Sequence, residues 1–259
     1  MLRNGPDLTV QRGSIEMSGR HDILFLSGPP LTEGLWRIAS PRAEARTGGR
    51  CEAASVLRYG DGWRAAADAL AQELRVRPRV VVAHGLALPA AIGAAAQVAP
   101  PLLVLVNGPL TELDPVHAVL ARAARGGAGL LAQTLLRPGV WLPILASSVA
   151  LRRAVVNPYA MDRDIVDALA GPLVADASGR AAVARWWGSL AERWPDPANL
   201  ACPLVLAWGD EDRLYPAATA SALAARQPGI RHVRVPGARW LWPEERPWAV
   251  VDALEAALA

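Results

Sequence analysis

Apolar and polar positions alternate along this chain in two rhythms. Short unbroken apolar runs bounded by glycine and proline read as buried strands: "DILFLSG" (Asp22 to Gly28), "RVVVAHG", "PLLVLVNGPL" and "CPLVLAWGD". "RCEAASVL" is a weaker run of the same kind, "IRHVRVPG" is another strand, and "DLTVQRGSIEMSG" reads as a leading hairpin around Arg12-Gly13. Between them the spacing changes to that of helices. In "DGWRAAADALAQEL", Trp63, Ala66, Ala67, Leu70 and Leu74 fall on one face. "LPAAIGAAAQV", "PAATASALAARQ" and "PEERPWAVVDALEAAL" continue the alternation, which predicts an α/β fold with a largely parallel sheet. From about Thr111 to Leu200 the strand signal stops and helical pieces cut by Gly and Pro take over: "VHAVLARAARG", "LLAQTLL", "DRDIVDALAGPL" and "GRAAVARWWGSLAERW". The expected organisation is a core of residues 1–110 and 201–259 with a helical cap or lid of residues 111–200.

Composition narrows the choice. With 52% hydrophobic and 20% charged residues the chain is globular. No apolar run reaches the roughly 18 residues of a membrane span. "GVWLPILASSVAL" (Gly139 to Leu151) comes nearest, and Pro143 breaks it; it reads as a buried or lid segment. The first residues lack an apolar signal-peptide core, so a cytoplasmic location is expected. All 27 basic residues are arginine, which excludes lysine chemistry such as a Schiff base or covalently held pyridoxal phosphate. They are scattered, so nucleic-acid binding is not expected. Cys51 and Cys202 are too few for a metal motif and read as small core residues; no metal or cofactor is expected.

Five segments together carry a resemblance. "LFLSGPPLTEGLW" resembles "LLLHGFPGSSxxW", and "RYGDGW" resembles "GYGDS". "VVVAHGLALPAA" resembles the elbow "VVVGHSxGG", "PLVLAWGDEDRLYP" resembles "PVLVLWGxxDxxxP", and "VPGARWLWPEERP" resembles "IPGAGHWxxEERP". In order and spacing they are similar to capped α/β-hydrolase-fold proteins over nearly the whole chain. The resemblance implies a mostly parallel sheet flanked by helices, with a helical cap inserted between strands.

At the chemical positions the sequence departs from that pattern. The apex of the strand-to-helix turn, where the family places its serine, is Gly85 in Ala83-His84-Gly85-Leu86-Ala87. Glycine cannot be acylated, and it suits a strained backbone position better than serine does. The family's general base aligns with Trp240, whose indole donates one hydrogen bond and accepts no proton. Of the two expected oxyanion donors, the Leu86 N–H remains, but the second aligns with Pro29, after Ser27 and Gly28, and proline has no N–H. The triad acid persists as Asp212, with Trp240 Nε1 or the Arg239 guanidinium as candidate partners. His84 reads as facing away from the substrate, His232 as structural, and His117 as a residue of the helical stretch that could reach a pocket.

Ten tryptophans against one phenylalanine suggest an apolar pocket lined by Trp36, Trp240, Trp242, Trp186 and Trp187, with His84 and Arg239 near it. Losing an entire triad costs on the order of a million-fold in a comparable hydrolase. Three functions are compatible with these residues. One is a non-hydrolytic pocket protein, a pseudoenzyme holding an apolar or aromatic small molecule. Another is an enzyme of secondary metabolism performing a cyclisation, elimination or rearrangement with Asp212 or Ser27 as its polar group. The third is a hydrolase with a relocated nucleophile, Ser27 being the candidate. A protein partner or a homodimer stays open.

Overall fold

The computed structural model describes residues 9–10, 22–125 and 129–258. Of the hairpin expected at the start, only Thr9–Val10 (β1) falls among the described residues. The sheet continues with Ile23–Ser27 (β2), Cys51–Ser55 (β3), Val80–His84 (β4), Leu103–Val106 (β5), Leu204–Gly209 (β6) and Ile230–Val235 (β7). Its order is β1-β7-β6-β5-β4-β2-β3; every pairing from β7 to β3 is parallel, and β1 runs antiparallel to β7. Strands β2, β4, β5 and β6 are buried along their whole length, which is why they read as unbroken apolar runs. The parallel edge strand β3 is partly exposed. Its Glu52 accepts from Arg79, a buried arginine just before β4 that also pairs with Glu73.

Helices cover both faces. Ala39–Thr47 (α1) and Pro247–Leu258 (α12) pack together, as do Trp63–Val76 (α2) and Leu88–Ala95 (α3). Ala217–Arg226 (α10) lies on β6 and β7. The expected long C-terminal helix is instead two, Trp242–Glu245 (α11) and α12, because Pro247 forbids Arg246 the helical conformation.

Between β5 and β6 the chain forms Pro115–Arg125 (α4), Gly129–Leu135 (α5), Pro138–Leu145 (α6), Ser148–Ala154 (α7), Arg163–Val174 (α8) and Ala177–Ser189 (α9). The helix expected to run to Trp194 stops at Ser189, and the Trp194 indole turns away to donate to Leu110 O at 2.9 Å. This helical stretch is tied to the sheet layer by main-chain bonds. Thr32 N donates to Leu169 O at 2.7 Å and Leu241 N to Ala154 O at 2.7 Å, while Trp63 N donates to Ser189 Oγ at 3.0 Å. No helix among the described residues is long and apolar enough to cross a membrane.

Chain order reverses at β2, which has β3 on one side and β4 on the other. In open parallel sheets the crevice at such a reversal, outside the carboxyl ends of the strands, is where ligands sit. Here Gly28, after β2, lies so close to the β4–α3 turn that a Cβ on it would stand 2.2 Å from Ala87 N. The crevice is thereby closed at its base, and open space begins further out, beneath the helices.

Candidate functional site

That space is a cavity of about 370 Å³. Leu31 after β2, Leu214 after β6, and Trp240 and Leu241 after β7 form its sheet side; α4, α6, α7, α8 and Trp187 of α9 close the other. The wall is aliphatic and aromatic apart from His117, Ser147 and Arg153. Exposed Ile144 and Val149 mark its mouth on α6 and α7, the segment read from sequence as a lid piece.

At the turn from β4 to α3, Gly85 has φ +60°, a conformation that costs any residue with a side chain. Its N–H donates to Asn107 O at 3.1 Å. The Trp240 indole occupies the space above it: a Cβ on Gly85 would stand 3.1 Å from Trp240 Cζ2. Trp240 Nε1 donates to Asn107 O at 3.1 Å, and Trp240 O accepts from His84 Nε2 at 2.8 Å. The two residues that the resemblance aligns with nucleophile and base are therefore neighbours, and the indole separates the apex from the cavity.

Asp212 does not reach the cavity wall, and neither expected partner meets it. Its Oδ2 accepts from Asn107 Nδ2, and its Oδ1 accepts from Leu214 N at 2.8 Å and Tyr215 N at 3.1 Å. Burial pushes its carboxyl up to about 6, against the pull of these donors. Arg239 points elsewhere, donating to Arg152 O at 2.8 Å and Val155 O at 2.9 Å, with Glu211 3.5 Å away. Asn107 is the hub. Besides Asp212, its Oδ1 accepts from Gly209 N at 2.9 Å and Trp242 Nε1 at 2.7 Å, and it holds φ +31° to do so. Asparagine tolerates that backbone better than most residues. Sequence reading missed it; "VNGP" directly after a buried strand was the available signal.

Several other expectations need correcting. Ser27 is fully buried and its Oγ donates to Ala54 O at 3.4 Å, toward β3 and away from the cavity. Gly28, Pro29 and Leu86 lie behind the wall rather than in it, and Pro30, joined to Pro29 by a cis peptide, contributes instead. Trp36 packs on Phe25, with ring centroids 5.1 Å apart, and is core. Trp242 is buried at Asn107 and Trp186 is buried within the fold; neither lines the cavity. Trp187 and Trp240 do line it. His84 is fully buried and neutral, burial lowering its imidazole to about 4. Cys51 and Cys202 are free thiols, pushed by burial up to about 12 and about 11.

The polar feature that does reach the cavity is His117, with Asp114 and Tyr215 behind it. Asp114 precedes α4 and its Oδ1 accepts from Val116 N at 3.0 Å, while Pro115 supplies the first turn. Its Oδ2 accepts from His117 Nδ1, three residues on. The Tyr215 hydroxyl lies 3.1 Å from the same nitrogen, and the two rings stack at 14°. Burial pushes the Asp114 carboxyl up, but His117, the Val116 N–H and the Tyr215 hydroxyl together hold it below the ordinary carboxylate range. Burial, then the Asp114 charge, push the Tyr215 phenol well above its usual value, so it stays neutral, with its O–H shared with Asp114. The "DPVH" spacing carried this pair, but Tyr215 reaches it from another strand's loop. Among the described residues no three His, Cys, Asp or Glu side chains gather as a metal site requires.

No family model and no curated protein sequence matches the chain. Solved structures do. A thermophilic esterase from Thermogutta terrifontis is 20% identical with a TM-score of 0.66, covering 97% of this chain and 92% of its own. The Cif epoxide hydrolase from Acinetobacter nosocomialis is 14% identical with a TM-score of 0.70, over 97% and 89%. An enol-lactonase from Burkholderia xenovorans is 16% identical with a TM-score of 0.63, over 97% and 96%. At these identities the likeness is one of fold: the chain has the α/β-hydrolase fold.

Proposed function

We propose that this chain is a non-hydrolytic member of that architecture, a pseudoenzyme that holds an apolar small molecule in the cavity beneath α4–α9, which act as its lid. The observation that carries this reading is the Trp240 indole seated on Gly85. It fills the place where an acyl group would meet a nucleophile and turns that place into an apolar floor. The fold by itself does not specify activity, since unrelated functions share it. The competing reading, a nucleophile-free reaction run by Asp212 or Ser27, has neither group at the cavity wall. A relocated nucleophile at Ser27 meets the same objection.

The test begins with the neutral dye N-phenyl-1-naphthylamine. Its fluorescence is expected to rise on binding, and Ala150→Trp, which places an indole in the cavity, is expected to abolish the rise. Small-molecule extract of the host is then expected to leave one compound on the protein, one-to-one and unchanged by mass spectrometry. Steady turnover of a short aryl ester, abolished by Ser27→Ala or His117→Gln, would sink the proposal.

A further inference from the structure

The cavity wall carries two basic side chains and no carboxylate. Arg153 stands exposed on α7 at the mouth. His117 lies inside, held on three sides: its Nδ1 by Asp114 and the Tyr215 hydroxyl, its ring by stacking on Tyr215 and by Trp240, whose ring centroid is 6.4 Å away. A carboxylate on Nδ1 fixes a proton there and leaves Nε2 as the free edge of the ring. Nε2 has no protein partner among the described residues. That nitrogen is a polar point of an otherwise apolar wall, open to a hydrogen-bonding group on an occupant.

We infer that the cavity takes an apolar weak acid, an aliphatic or aromatic body with one ionisable O–H, anchored by that group on Nε2 of His117. This deepens the pocket reading and rests on it. Where the ring is neutral, the O–H bond of the acid breaks, the N–H bond at Nε2 forms, and the electron pair stays on oxygen; where Nε2 already carries a proton, the acid gives its proton to water and the anion accepts from Nε2–H. The resulting imidazolium lies between the ligand anion and the buried Asp114 carboxylate, and Arg153 balances the remaining charge. Among the other groups near His117, Tyr215 stays neutral, Trp240 carries no charge, and Asp212 lies behind Tyr215, bound to its N–H. A charge-assisted bond in so apolar a setting is strong enough to select the acid over its ether.

The experiment compares 4-nitro-1-naphthol with its methyl ether by calorimetric titration into the full chain, at a pH below the ionisation of the free naphthol. The naphthol is expected to bind at least about ten-fold tighter, as one charge-assisted hydrogen bond allows. Its bound absorbance should be that of the naphtholate. His117→Gln is expected to bring the two affinities together and abolish the naphtholate band. Asp114→Asn keeps a helix-capping side chain, so it should fold, and it is expected to weaken the band. Equal affinities in the unaltered protein, or a preference that survives His117→Gln, would overturn the anchor while leaving the pocket reading intact. Failure of both compounds and of the neutral dye to bind would overturn the pocket reading itself.

Discussion

Gly85 and Trp240 are matched. The left-handed backbone at Gly85 and the indole 3.1 Å from its missing Cβ both oppose a side chain there. Gly85→Ser is expected to lower stability by about 1–2 kcal/mol, read from urea denaturation, and to restore no esterase activity. Asp212 is matched to Asn107 in the same way. Asn107 Oδ1 is committed to Gly209 N and Trp242 Nε1, so its NH₂ must face residue 212. Asp212→Asn then sets donor against donor, with an expected loss of about 1–3 kcal/mol. His84 and Asp212 also oppose each other in pH dependence. The imidazole of His84 titrates near 6.5 unfolded and about 4 folded, so the unfolded chain binds the extra proton, and its stability contribution is lost as pH falls through that interval. Asp212 titrates near 3.8 unfolded and about 6 folded, so its contribution is lost as pH rises through that interval. His84→Gln can keep the bond to Trp240 O and removes the first effect alone. The advantage of the unaltered protein over this variant is expected to shrink as pH falls from 6.5 to 4, measured by denaturation at successive pH values.

Among the elements, α7 matters most to the cavity and is least able to hold itself. It is 7 residues long, too short for an isolated helix, yet it supplies Val149, Ala150, Leu151, Arg153 and Ala154 to the wall. Its start is fixed by Ser147, whose Oγ accepts from Ala150 N at 3.3 Å. Ser147→Ala is expected to cost about 1 kcal/mol and to weaken N-phenyl-1-naphthylamine binding several-fold, read by dye titration. The buried strands, α2 and α3 were legible because each depends on a local rhythm of apolar residues. α6 and α7 were not resolved from one another, since Pro143 inside α6 mimics a break and the true boundary is set by the Ser147 cap. α1 was missed because "ASPRAEART" has little apolar content and is held in place by α12.

At the scale of the whole molecule, the helices between β5 and β6 share backbone hydrogen bonds with the loops after β2 and β7, and Trp194 reaches back to Leu110. Their unfolding is expected to coincide with that of the sheet, so thermal curves by tryptophan fluorescence and far-ultraviolet circular dichroism should superimpose. Two separated transitions would mean that the helical stretch opens by itself. What the amino-acid sequence determined alone was the architecture, together with the identity of the residues at the apex, at the position facing it and after β2. Each of these follows from local periodicity, or from a residue type that cannot perform a given chemistry wherever it points. Which side chains meet was decided only in three dimensions. Sequence reading sent Trp36, Trp242, Arg239 and Asp212 toward the cavity, while folding buried Trp36, Trp242 and Asp212 or spent their hydrogen bonds elsewhere, and paired Arg239 with main-chain carbonyls. It put His117, backed by its near neighbour Asp114 and by Tyr215 from a distant segment, at the cavity wall instead. The reason is physical: the direction of a side chain is set by the packing of elements far apart along the chain, and no local pattern records it.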